Sequence, residues 1–145
     1  MRILIGGDIK PTERDLSFFI EGDEHKIWGD LMVEFKNADF TIANLETPLI
    51  DKQTPIQKSG AVFGSPKEIL NAIKNVNISF LNLANNHILD HGIEGLNTTI
   101  KALKEYKINY GGAGNSLKTA SEPYIQKNKN KIISILSYSE SEFNV

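Results

Sequence analysis

Cysteine is absent from this 145-residue chain, which removes disulfides, thiolate metal sites and a cysteine nucleophile, and leaves any metal to carboxylate, imidazole, amide or backbone ligands. An excess of one charge is lacking too: 16 Lys plus Arg stand against 18 Asp plus Glu, with the basic residues scattered. That balance carries no electrostatic footprint for nucleic acid and no polybasic patch for an anionic membrane. No apolar run is long enough to span a bilayer, and the opening Met1-Arg2-Ile3-Leu4-Ile5 is too short for a signal-peptide core. The chain as it stands reads as cytoplasmic, with cell-envelope association expected only where a targeting segment precedes it. With 40% hydrophobic residues, no repeats and no low-complexity linker, one globular domain over residues 1–145 is the simplest reading.

Hydrophobic periodicity orders the chain. Arg2 to Ile5 reads as a short buried strand that stops at Gly6-Gly7 and delivers Asp8. Apolar residues at 28, 31, 32 and 35 predict a helix from Trp28 to Phe35, and Asp39 to Leu45 predicts a strand that delivers Glu46. Before that helix, the polar stretch Glu21 to Lys26, with His25, reads as a solvated loop. Residues 47–64, with Pro48, Pro55, Gly60 and Gly64, predict a long loop, and a loop of that length in a compact domain is often functional. Ser65-Pro66-Lys67-Glu68 carries the signals of a capped helix start, with Ile69, Ile73 and Val76 on the buried face.

Ile78 to Ala84 predicts a third strand that delivers Asn85, Asn86 and His87. A helix over about Gly92 to Tyr106 follows, with Ile93, Leu96, Ile100 and Leu103 on one face and Asp90 placed as its N-cap. Ile108 to Tyr110 is a short strand closed by Gly111-Gly112-Ala113-Gly114, where a close-packed turn is favoured over an anion-binding loop. Tyr124 to Lys127 and Lys131 to Tyr138 read as strands joined by Asn128-Lys129-Asn130, the second of them central in character. Strands alternating with helices, then a hairpin, are the order of an α/β protein with a largely parallel sheet.

In open α/β sheets, ligands bind outside the carboxyl ends of the strands, which is where Asp8, Glu46, Asn86 and His87 fall. Two carboxylates, an amide oxygen and an imidazole suit a divalent cation: Mn²⁺, Mg²⁺, Zn²⁺ or Fe²⁺. Each residue alone has an ordinary structural role as well: a turn for Asp8, a solvated carboxylate for Glu46, a strand terminator for Asn85-Asn86, a packed histidine for His87. Lys10 offers a point charge to a substrate phosphate or carboxylate, or is simply solvated. Asn44 and His91 complete the set expected to face substrate, His91 at the surface or rim. No Gly-x-Ser-x-Gly elbow or other nucleophilic triad is visible.

The run Leu83-Ala84-Asn85-Asn86-His87-Ile88-Leu89-Asp90-His91-Gly92, followed by Gly95 and Thr98 or Thr99, resembles the signature of the CapA-type family of bacterial capsule and poly-gamma-glutamate biosynthesis proteins. Gly7-Asp8 and Ala43-Asn44-Leu45-Glu46-Thr47-Pro48-Leu49 match that family's first two motifs in the same order, and Gly112-Ala113-Gly114 fits as well. The resemblance implies a branch of the calcineurin-like metallophosphoesterases, with a four-layer α/β/β/α sandwich and a dinuclear metal site at the strand ends. It places Asp8, Glu46 and Asn86 as metal ligands and His87 as the group assisting departure of the leaving group. Lys10 stands where many relatives have a metal-binding His, so the site is expected to be altered or mononuclear. No His follows His91, so the chain corresponds to roughly the N-terminal half to two-thirds of such a domain.

The resulting expectation is a metal-dependent hydrolase or transferase acting on a phosphoester or an anionic polymer, in this chain active or inactive according to the missing ligands. The competing expectation is a non-catalytic module that binds an anionic polymer or a partner of a synthesis complex. An unpaired sheet edge would also favour a homodimer.

Overall fold

The computed structural model describes residues 1–128 and 130–140. Four strands, β1 (Ile3–Ile9), β2 (Phe40–Leu45), β3 (Phe80–Asn82) and β4 (Asn109–Gly111), form an all-parallel sheet in the order β1-β2-β3-β4. The α/β reading of the sequence is the observed architecture, because β1, β2 and β3 are each joined to the next parallel strand through helix.

Helices α1 (Leu16–Glu21), α2 (Glu24–Trp28) and α3 (Leu31–Asn37) lie between β1 and β2. The single helix expected over Trp28 to Phe35 is two, because Gly29 takes a positive φ of 49° and its N–H closes on the His25 carbonyl. Of the stretch Glu21 to Lys26, expected as a solvated loop, Glu21 closes α1 and Glu24 to Lys26 are helical in α2, although His25 itself is exposed as expected. The rings of Phe19, Trp28 and Phe35 meet edge to face, and the Trp28 indole N–H donates to the Ala72 carbonyl at 3.3 Å, so this group is fastened to the next helix.

After β2 the chain runs through the irregular segment 46–66. A 3₁₀ turn over Lys67–Ile69 leads into α4 (Leu70–Asn75). Ser65 does not cap it: its hydroxyl is buried against the Thr47 hydroxyl, 3.0 Å away, and Leu49 and Ser65 form an isolated parallel bridge. α5 (Gly92–Tyr106) begins where the sequence predicts and buries Leu96, Ala102 and Leu103, while Ile93, expected on that face, is 69% exposed.

One sheet face, with Ala43, Leu45 and Leu81, packs on Ile69, Leu70, Ile73 and Leu103 and forms the core. The other carries Phe40 and Phe80, both against Tyr124. Tyr124 opens the hairpin β5 (Tyr124–Asn128) and β6 (Lys131–Ile135), which follows the short helix α6 (Leu117–Ala120). Among the described residues the hairpin is a separate two-stranded sheet, so residues 131–138 are not a central strand; Lys129, at the expected turn, lies outside the described residues.

β1 also differs from expectation. It continues through Gly6-Gly7 to Ile9, with a register shift between Ile5 and Asp8, and it is an edge with Ile5 72% exposed rather than a buried strand. Gly112, at φ 92°, packs so tightly that a Cβ there would lie 2.8 Å from the Ala84 Cβ, which is the close-packed turn expected of the glycine run.

Candidate functional site

Sheet register brings three of the strand ends into line. Asp8 pairs with Asn44 and Asn44 with Asn82 across β1, β2 and β3. The side chains then join: Asn44 Nδ2 donates to Asp8 Oδ1 at 2.7 Å, and Asn82 Nδ2 donates to Asn44 Oδ1 at 2.8 Å. Asn85 Nδ2 donates to the same Asn44 oxygen at 3.2 Å and to the Leu45 carbonyl at 2.9 Å. With two amide donors on its oxygen, Asn44 can turn only its own N–H toward Asp8, so the orientation of the Asp8 carboxylate is set from the middle strand.

The row continues into the turn after β3. Asn85 Oδ1 accepts from the His87 N–H at 3.0 Å, the local turn for which Asn is suited. His87 Nδ1 lies 2.7 Å from Asp90 Oδ2. Asp90, fully buried, also accepts from the Phe63 N–H on that oxygen at 2.7 Å and from Lys58 Nζ on its other oxygen at 2.6 Å. Burial alone would raise the Asp90 pKa, but the hydrogen bonds from Lys58, the Phe63 N–H and His87 outweigh it and hold the carboxyl below its ordinary value. An ionised acceptor fixes the proton of a neutral His87 on Nδ1 and leaves Nε2 as the ring's free acceptor.

Asp90 is therefore not the N-cap of α5. His91 holds that position, and neither residue makes a side-chain cap bond to the helix. Instead, Asp90 draws residues 58–63 of the long loop onto His87: the Phe63 ring stacks on the imidazole with centroids 4.0 Å apart, and Lys58 Nζ also donates to the Asn86 carbonyl at 2.9 Å. Lys10 Nζ stands 4.4 Å from the Phe63 ring centroid on that same strand-end side.

The other expected residues are placed as follows. The Glu46 N–H donates to the Ile9 carbonyl at 3.1 Å, joining the ends of β1 and β2, while its half-buried carboxylate forms no hydrogen bond or ion pair among the described residues. The Asn86 side chain is exposed. Among the described residues, no three His, Asp or Glu side chains are grouped to hold a metal ion. His91, expected at the rim, is 2% exposed: its Nδ1 accepts from the Thr54 N–H at 2.8 Å, so the ring clamps the long loop to α5. Among the described residues its Nε2 has no hydrogen-bond partner, and it is buried beside Gly64, where a Cβ would lie 2.7 Å away.

Sequence reasoning missed Lys58, Phe63 and Asn82. The length of the 47–64 loop was the one signal for the first two, and it names no residue within the loop. Among the described residues, no helix is long and apolar enough to cross a membrane.

The family described as bacterial capsule synthesis protein PGA_cap matches residues 2–145. The chain is 38% identical over 86 residues to the capsule biosynthesis protein CapA of Bacillus anthracis, covering 57% of this chain and 21% of that one. It is 30% identical over 87 residues to the PGA biosynthesis protein CapA of Bacillus subtilis (strain 168), covering 59% and 23%. An uncharacterized protein, y4sH, of Sinorhizobium fredii is 30% identical over 122 residues, covering 81% and 26%. The matched stretch thus spans about a fifth to a quarter of each relative. By its family match over nearly its whole length, and by three ordered motifs lying at adjacent strand ends, the chain belongs to the bacterial capsule synthesis PGA_cap family.

Proposed function

We propose that this chain supplies the strand-end portion of a metal-dependent site for hydrolysis or transfer, acting on a phosphoester or an anionic polymer in capsule or poly-gamma-glutamate biosynthesis. The observation that carries the reading is the continuous row from Asp8 through Asn44 and Asn85 to His87, which ties the three family motifs together at one end of the sheet.

The donor types fit a hard divalent cation: Asp8 and Glu46 as carboxylates and Asn86 as an amide oxygen. A bound Mn²⁺, Mg²⁺, Zn²⁺ or Fe²⁺ would act as a Lewis acid on the scissile group, its coordination shell completed by water or by ligands from outside this set. Asn44 orients Asp8. Asp90 holds His87 by Nδ1, so a proton carried on Nε2 is backed by a buried negative charge and is available to a departing oxygen or nitrogen. Phe63 covers one face of the imidazole and keeps water from it.

The absence of a three-residue acidic or histidine grouping among the described residues favours a second reading, a non-catalytic module that binds the same class of anion. Calorimetric titration with Mn²⁺, Mg²⁺ and Zn²⁺ separates the two. The metal reading expects saturable binding that weakens at least tenfold in Asp8→Asn and Glu46→Gln. No binding in the millimolar range, or equal binding by both variants, favours the module.

A further inference from the structure

Beside the strand ends, a cleft of about 620 Å³ opens between the loop that follows β1 and residues 62–65 of the long loop. Its size is that of a small-ligand site. Lys10, Arg14 and Phe63 line it, together with the buried Thr47 and Ser65. Among the described residues neither Lys10 nor Arg14 is ion-paired, a state they share with most of the chain's lysines; what sets them apart is that both line one cleft. One carboxylate, that of Glu13, shares the cleft, so its lining carries a net positive charge.

Two features fix the backbone that carries these cations. Pro11, buried, restricts the backbone between Lys10 and the turn, and Asp15 accepts from both the N–H and the hydroxyl of Thr12. The Asp15 carboxylate is thereby engaged within its own turn. Lys10 keeps its ammonium over the Phe63 ring, the same ring that stacks on His87. An anion seated on Lys10 is consequently one aromatic ring away from His87.

We propose that this cleft is a substrate subsite for an anionic group, a carboxylate or a phosphate, with Lys10 as the point charge, Arg14 as the two-pronged donor and Phe63 as the ring that Lys10 shares with His87. The proposal deepens the strand-end reading and rests on it for the identity of the occupant as substrate; the binding itself needs no metal.

The test is calorimetric titration of the whole chain, in chelator, with γ-linked triglutamate, with its amidated neutral counterpart and with inorganic phosphate. Triglutamate or phosphate is expected to bind and the neutral peptide not. Lys10→Ala and Arg14→Ala are each expected to weaken binding roughly fivefold, the double variant to abolish it and Glu13→Gln to tighten it, all with unchanged melting temperature. Binding should also weaken with added salt. Triglutamate alone binding assigns the subsite to a carboxylate polymer, and phosphate alone assigns it to a phosphoester. Failure of both to bind, or equal binding by the double variant, overturns the proposal. Triglutamate binding in chelator by a chain that takes up no metal would retain the subsite and sink the metal reading instead.

Discussion

Asp90 accepts a hydrogen bond from His87 Nδ1 at 2.7 Å while its second oxygen takes the Lys58 ammonium at 2.6 Å, and the carboxylate is wholly removed from solvent. Three residues apart in sequence, His87 and Asp90 meet because the chain turns tightly there, with the Asp90 N–H closing on the His87 carbonyl at 2.9 Å. Through this pair, a loop from one part of the chain is attached to a motif from another.

The first prediction concerns that attachment. Lys58 is 7% exposed and Asp90 0%, so removing either leaves a buried charge without its partner. Asp90→Ala is expected to destabilise the fold by about 3–5 kcal/mol, and Lys58→Ala by a similar amount, in urea unfolding. Lys58→Ala should also make residues 50–64 more open to proteolysis under native conditions. A loss below about 1 kcal/mol in both variants would mean that the ion pair is not formed in solution.

Acid should act through the same carboxylate. Because the folded Asp90 pKa lies below its unfolded value, its contribution is fully present above the ordinary Asp range, near pH 3.9, and is lost as pH falls through the folded value. Melting temperature recorded from pH 7 downward should therefore begin to fall near pH 4 in the native protein, and the acid slope should be shallower in Asp90→Asn. Parallel slopes would show that other carboxylates govern acid unfolding.

The asparagine row makes its own prediction. Asn44→Asp keeps the acceptor for Asn82 and Asn85 but replaces the donor to Asp8 with a second negative charge. A loss on the order of 1–3 kcal/mol is expected at pH 7. Asn44→Ala, which takes one of two acceptors from each of the Asn82 and Asn85 amides, should fall at the lower end of the same range. Unchanged stability in both would mean that the row does not set the orientation of Asp8.

Gly64 and Gly7 should respond differently to alanine. At Gly64 a Cβ would lie 2.4 Å from Ile50 Cδ1 and 2.7 Å from His91 Nε2, and the imidazole cannot yield while Thr54 holds it. Gly64→Ala is expected to cost about 1–3 kcal/mol. At Gly7 nothing lies within 4 Å, and Gly7→Ala should change stability by less than about 0.5 kcal/mol. Equal effects at the two glycines would contradict the packing around His91.

Much of this fold was legible from residue order. Runs such as Phe40-Thr41-Ile42-Ala43 and the spacing of Leu96, Ile100 and Leu103 reflect local periodicity, which any chain carries in its own sequence. The helices over residues 16–28 were harder to read, since they are short, split at Gly22 and Gly29, and depend on the packing of Phe19 and Trp28 on α4 in addition to their own caps. Ile5 shows the converse failure: an apolar β-branched residue predicts burial, but whether a strand has a neighbour on each side is a property of the sheet.

The site divides in the same way. The sequence by itself determined that Asp8, Glu46 and the Asn85-Asn86-His87 turn would stand at successive strand ends, because in a parallel α/β order the residues following each strand emerge on one edge of the sheet. Only the tertiary structure decided that Asp90 would be a buried acceptor rather than a helix cap, that Lys58 and Phe63 would reach the turn from Asn86 to Asp90 across some 25 to 30 residues of chain, and that His91 would be a clamp rather than a rim residue. The physical reason is that a carboxylate or an imidazole carries the same chemistry in a solvated turn as in a core; its role is set by which donors the packed chain brings within 3 Å of it.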